Sequence, residues 1–213
     1  MLETLTNLLP ELWRAFGETV LMLAIGLSAA VLLGGPLGVA LYLGLGRLGL
    51  VLGWLVNTVR SFPFIILMVA LVPFTRIVAG TSIGPLAAAV PLSFAAIPYF
   101  ARLVEQQLRE VPRGVIEAAE AMGASPFQIV TRVLLLEVRS GLVLALTVLA
   151  ISFLSYSAVA GVVGGGGIGD LAIRYGYYRF ETEVMAITVL LLVALVQLIQ
   201  FGGGRLARRL DKR

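Results

Sequence analysis

Long uncharged runs separated by short clusters of charge dominate the chain. Residues 19–46, 77–101, 140–169 and 184–204 contain no Asp, Glu, Lys or Arg, and each is as long as the roughly 20 mostly apolar residues that an α-helix needs to cross a bilayer. A fifth run, 61–75, becomes long enough when it is extended back to Asn57, with the Arg60 side chain reaching the interface from the first turn. The pattern predicts an all-α integral membrane protein forming one domain over 1–213. Its five transmembrane helices fall at about 19–46, 57–75, 77–101, 140–163 and 184–204, with a polar loop at 102–139 between spans three and four. Pro85, Pro91 and Pro98 fall in span three, where each removes a backbone donor. They either kink the helix for packing or line a path through the membrane.

Composition removes the soluble alternatives. Of 213 residues, 59% are hydrophobic and 13% charged, against about 25% charged in soluble domains, and the mean hydropathy is +1.00. The chain has no Cys and no His, a single lysine (Lys212), and only Asp170 and Asp211 as aspartates. Disulfides, thiolate or imidazole metal sites, His-based triads and aspartyl dyads therefore lack their atoms. No catalytic, cofactor-binding or metal-ligating set is expected on this chain. The net charge of +4 is spread between the apolar runs, so no basic patch among aromatics points to nucleic acid.

The charges also predict a direction. Lys and Arg concentrate on the cytoplasmic side of short loops. With the N-terminus outside, the inner segments hold Arg47, Arg60, Arg102, Arg109, Arg113, Arg132, Arg139, Arg205, Arg208, Arg209, Lys212 and Arg213, and the outer ones hold Arg14, Arg76, Arg174 and Arg179. Twelve against four places the N-terminus outside and the C-terminus in the cytoplasm. The stretch 2–18 is acidic and amphipathic, without the basic start of a cleaved signal peptide, so span one is expected to remain.

The loop 102–139 has its own architecture. Pro112 suits the first position of a helix and Gly123 a left-handed C-terminal cap, which predicts a helix over 112–122. Ser125, Pro126 and Gln128 then have the spacing of a capping box that opens a second helix. Arg113 and Glu117 stand four apart and are able to pair. Ala118, Ala119, Ala121 and Met122 give a small, smooth face suited to a partner's groove, or to resting on the membrane interface.

Two further features invite chemical readings. Residues 164–169 formally satisfy G-x-G-x-x-G, but they follow a membrane span instead of a strand in a βαβ unit, and no Gly-Lys-Ser/Thr occurs anywhere. Any ATP must be bound by another subunit. The glycines fit tight turns and close backbone contact better than substrate binding. The pairs Gly34/Gly38 and Gly161/Gly165 have the spacing of helix contacts. In span four, Ser152, Ser155, Tyr156 and Ser157 either bond within the helices or line a translocation path, with Val159 and Val162 as an apolar gate on a dimer axis. No carboxylate falls inside a predicted span, so a proton-coupled carrier lacks its usual relay.

Glu117-Ala118-Ala119, then Gly123, then Val133 and Leu135 after nine residues, resembles the EAA motif of permease subunits in ATP-binding-cassette importers. The family's closing proline is Leu136 here, so the helix after Ser125 is expected to run straight on. The resemblance extends through Arg60-Ser61-Phe62-Pro63-Phe64, Tyr99–Glu105, Tyr156–Gly161, Gly164–Asp170 and Arg174-Tyr175-Gly176-Tyr177, and is nearest to the methionine-importer branch. It implies a homodimer in a bacterial plasma (inner) membrane, two cytoplasmic ATPase subunits carrying ATP and Mg, and an external solute-binding protein. It also implies an ATPase-coupling segment at Glu117, Ala118, Ala119, Glu120, Ala121, Met122 and Gly123. A permease for another small polar solute, and a self-sufficient channel or carrier, remain alternatives.

Overall fold

A computed structural model describes residues 2–211 as helices joined by short turns, with no strand among them. Lys212 and Arg213, two of the charges counted for direction, lie outside the described residues. The chain opens with α1 (Leu2–Ala29), which passes through one wide π-helical segment (Ala30–Gly34) into α2 (Gly35–Leu43). The acidic stretch is thus the first part of the same rod as span one, and Gly44 at φ +60° ends it.

Span two is not the single rod at 57–75 that hydropathy suggested. Helix α3 (Gly46–Arg60) ends before Pro63, and α4 (Phe64–Ala70) leaves at 102° to it. Pro63 lacks an N–H and disfavours helical backbone at Phe62, which breaks the rod there. Leu71 leads into α5 (Val72–Ala79), with Pro73 in its first turn. Ile77 to Ala79 therefore close α5 instead of opening span three. Gly80 at φ +72° and Gly84 at φ +100° make the turn to α6 (Pro85–Arg109). Uncharged sequence conceals such a break, because hydropathy is blind to backbone geometry.

Helix α6 is the central post, and it runs unbroken through Pro91 and Pro98, both buried. Leu92, Ala96, Phe100 and Val104 face Met22 of α1 and Leu149 and Phe153 of the span-four helix α10 (Arg139–Val162) in one core. Its fit to α1 and α2 depends on small residues: a Cβ on Gly34 would stand 2.6 Å from the Ile97 carbonyl oxygen, and one on Gly38 2.6 Å from that of Ala101. This is the close backbone approach that small-xxx-small spacing allows. Between α6 and α10 come α7 (Arg113–Ala121), α8 (Pro126–Gln128), a π-helical segment (Ile129–Leu134) and α9 (Leu135–Glu137). After α10 come α11 (Gly167–Leu171), a third π-helical segment (Ala172–Tyr177) and α12 (Thr182–Leu210). Among the described residues four helices are long and apolar enough to cross a membrane, and α3 with α4, counted as one bent span, makes five. Leu32, Ile77, Leu190 and Leu198 are among many large apolar side chains left exposed, as expected where hydrocarbon is the solvent.

Candidate functional site

The loop after α6 folds as a sharp corner. Pro112, with ψ at 135°, stands just before α7, which starts one residue later than expected and ends at Ala121. Gly123 adopts φ +79°. Its N–H donates to the Glu120 carbonyl at 2.9 Å, and that of Ala124 to the Ala119 carbonyl at 3.1 Å. These two bonds form a Schellman cap, which closes the carbonyls left open at a helix end. Ser125 and Gln128 then form the reciprocal capping box: Gln128 Oε1 accepts from the Ser125 N–H at 2.9 Å, and Ser125 Oγ from the Gln128 N–H. The following helix continues past Leu136 and breaks at Val138, where α10 begins.

The α7 faces are sorted by the helical period. Val115, Ile116 and Ala119 pack back onto the permease, and Ala119 is buried. Ala119 therefore does not belong to the outward face assigned from the motif, whose exposed members are Glu117, Ala118, Glu120, Ala121, Met122 and Gly123. Met122 is 82% exposed, and Phe127, across the corner, is 76% exposed. Phe127 was not singled out in the sequence, although an aromatic in the first turn after a capping box on a polar loop is its signal. Arg113 and Glu117 form no ion pair among the described residues, consistent with the weaker Arg-before-Glu order.

At the same end of the molecule Glu105, buried on α6, accepts from Arg109 Nη2 at 2.8 Å and from Arg102. Arg102 also donates to the Gly53 carbonyl at 3.1 Å and to Asn57 Oδ1 at 3.0 Å. Because α6 outruns the predicted span by eight residues, it carries a carboxylate that the predicted span lacked. Doubly paired within α6, Glu105 holds Arg102 in place for its bonds to α3 and is not an open proton relay. The i,i+3 and i,i+4 spacing of Arg102, Glu105 and Arg109 was the available signal.

Span four divides the gate candidates. Ser152, Ser155, Val159 and Val162, three or four residues apart, share one face of α10, with Ser155 and Val162 exposed. Ser152 Oγ donates to the Val148 carbonyl at 3.0 Å. Ser157 does not join that face, and Tyr156, four residues after Ser152, stands at its edge, held by aromatic packing. The Tyr156 ring stacks on Phe64 at 4.7 Å and meets Phe153 edge-on at 5.1 Å. Buried Ser157 donates to the Leu154 carbonyl at 2.7 Å.

At the opposite end, the glycine run is packed tightly against its surroundings. A Cβ on Gly165 would stand 2.7 Å from the Ala160 carbonyl oxygen and 2.9 Å from Ala88 Cβ, and one on Gly161 would overlap the Asp170 backbone. The N-terminus of α11 is capped from α1: Glu18 Oε2 accepts from the Gly167 N–H at 2.8 Å, and Thr19 Oγ1 from the Ile168 N–H at 3.0 Å. Arg14 pairs with Glu18 at 2.9 Å, and Arg174 pairs with Asp170. The hydrogen bond and charge of Asp170 hold the Arg174 guanidinium above its ordinary range, against some desolvation. Among the described residues no group of three acids is placed to hold a metal ion.

Comparison with known proteins agrees along nearly the whole chain. The family of binding-protein-dependent transport system inner membrane components matches residues 26–213. A probable D-methionine transport system permease protein MetI of Vibrio cholerae is 47% identical over 212 residues, covering 95% of this chain and 93% of its own. The methionine import system permease protein MetP of Bacillus subtilis is 40% identical over 163 residues, covering 76% and 73%. A chain of the inward-facing MetNI methionine ABC transporter superposes with a TM-score of 0.94 at 44% identity, covering 97% of this chain and 99% of that one. The helical bundle is thus that of a transporter subunit, and the chain belongs to the family of binding-protein-dependent transport system inner membrane components.

Proposed function

We propose that this chain is the membrane-spanning subunit of an ATP-driven methionine importer, working as a homodimer with two cytoplasmic ATPase subunits and an external solute-binding protein. The observation that carries the reading is the corner at 112–128, whose cap and box fix a short helix that presents Met122 and Phe127 to the surroundings. A rigid, locally closed element of this kind suits insertion into a groove on another protein. Identity to methionine permeases over most of the chain supports the cargo. The arginine asymmetry supports a cytoplasmic corner and an external N-terminus.

In this mechanism the chain contributes no bond-breaking group. ATP and Mg on the partner ATPase supply the energy, and closure of the two ATPases moves the corner as one body. Ala119, Val115 and Ile116, packed on the permease, carry that displacement into the bundle, while Glu117, Ala118, Glu120, Ala121 and Met122 engage the groove and Gly123 holds the angle. The face bearing Ser152, Ser155, Val159 and Val162 lines the path between the two copies, its valines closing it to water. Stacked Tyr156 and back-bonded Ser157 brace that helix.

Co-expression with its ATPase and extraction in mild detergent tests the reading. Two permeases should co-purify with two ATPases, and reconstituted liposomes supplied with the binding protein should take up methionine only with ATP. Gly123→Arg should insert normally and lose both co-purification and uptake. ATP-independent solute transport by the permease alone, or full uptake by Gly123→Arg, would overturn it.

A further inference from the structure

The gap between α1 and α12 holds two apolar clefts that have no place in the transport reading. Its outer half holds one of about 530 Å³, lined by Leu12, Trp13, Ile187 and Leu191. Its inner half holds another of about 450 Å³, floored by α10, lined by Leu23, Ala24, Leu146, Ala150 and Leu206 and almost free of polar surface. On α10 this cleft and the proposed transport path face different ways, since Ala150 and Ser152 are two residues apart and point about 200° round the helix from one another. Pairing two copies through the Ser152 face therefore leaves the cleft open to the bilayer.

Charge sits at only one end of the inner half. Arg139 lies one turn before the groove-lining Val143, and its Nε donates to the Leu210 carbonyl of α12 at 2.9 Å, fixing it between the two helices at the mouth. Arg209 follows three residues after Leu206 and is exposed. Glu137 and Asp211 line a polar cleft beside this mouth with Gln107, Glu110 and Gly141, and Gly141 points about 200° round α10 from Val143. From Arg139 to Ala150 the helix rises about 16 Å, close to one leaflet of hydrocarbon.

We infer that the inner cleft is a binding site for an anionic phospholipid, one acyl chain lying along Leu23, Ala24, Leu146 and Ala150 and the phosphate held by Arg139 and Arg209. The apolar lining supplies affinity for the chain and the arginine pair selects the head group. The site does not depend on which solute is transported.

Native mass spectrometry of the full-length permease, exposed to equal amounts of phosphatidylglycerol and phosphatidylcholine with identical chains, tests the site. The unaltered chain should retain a single lipid with about fivefold or greater preference for phosphatidylglycerol. Arg139→Gln with Arg209→Gln should reduce that preference to near parity, while Arg139→Lys with Arg209→Lys keeps most of it. Ala24→Trp, which fills the cleft from a lipid-facing position, should abolish retention of both lipids. A second copy seated in the cleft would instead show as cross-linking of Ala24→Cys between subunits, readily read because the chain has no other cysteine. Equal retention of the two lipids by the unaltered chain, retention unchanged by Ala24→Trp, or such cross-linking would each overturn the inference.

Discussion

Glycine closes a turn at both ends of the molecule, but for different physical reasons. At the corner of the 102–139 loop, Gly123 takes φ +79° and a Cβ there would meet nothing within 4 Å. At the turn after span four, Gly164, Gly166 and Gly167 also take positive φ, whereas Gly161 at the end of α10, Gly165 and Gly169 keep φ out of the left-handed region, yet a Cβ on any of these last three would press into neighbouring backbone. The first glycine is required by conformation and the others by contact. A substitution at the corner changes how the chain bends; one at Gly161, Gly165 or Gly169 changes how helices pack. The corner can thus stand open to a partner, while the run is committed to its own protein.

The sharpest way to break this contrast is Gly165→Val. It should cost upwards of about 3 kcal/mol, since overpacking against backbone cannot relax cheaply, and should show as loss of monodisperse protein in detergent. Thr19→Val comes next, removing the acceptor of the Ile168 N–H and costing about 1–3 kcal/mol, read as a lower unfolding temperature. Gly123→Ala should cost only about 1 kcal/mol, from the left-handed backbone alone. A loss at Gly123 as large as at Gly165 would erase the distinction. Met122→Ala with Phe127→Ala should leave permease stability within about 0.5 kcal/mol and weaken ATPase association about tenfold or more, as truncated anchors do, measurable by titration of purified subunits. The smallest effect belongs to Tyr175, on the segment between α11 and α12. Its hydrogen bond to Glu11 raises the phenol above its ordinary value, with burial adding to the rise and Arg179 and Arg174 opposing it. A raised folded value means that the bond's contribution is complete below the unfolded pKa of about 10 and is lost as pH climbs through the folded one. Tyr175→Phe should therefore lower stability slightly and evenly through the neutral region and flatten the alkaline limb of a pH–stability profile.

Hydropathy and turn chemistry disclosed different parts of the structure. The spans at α1, α6, α10 and α12 were legible because twenty uncharged residues in a row have few alternatives. The corner was legible because Gly123, Ser125 and Gln128 act on neighbours within a few residues. The bend at Pro63 was hidden inside an apolar run, and the start of span three was misplaced to Ile77 because no charge marks Gly80 or Gly84. Among the candidate site residues, helical period groups Ser152, Ser155, Val159 and Val162 and turns Ser157 away, but Tyr156, four residues after Ser152, is set apart only by its packing on Phe64 and Phe153. What turned Ala119 inward, and gave Glu105 two arginine partners plus a link through Arg102 to Asn57, was tertiary packing, which no local pattern encodes.

The hydrogen bonds of the corner also set an order of events during synthesis. Each of its cap and box bonds closes within five residues, as between Ala124 and Ala119 or Ser125 and Gln128. The outer turn waits for groups 149 residues apart, Glu18 with Gly167 and Thr19 with Ile168. Local closure is fast and distant closure slow. The corner can take shape while span four is still being made, whereas the outer turn must wait until α11 emerges and meets α1. The surface we propose for the ATPase is therefore ready on the nascent chain before the membrane bundle is complete.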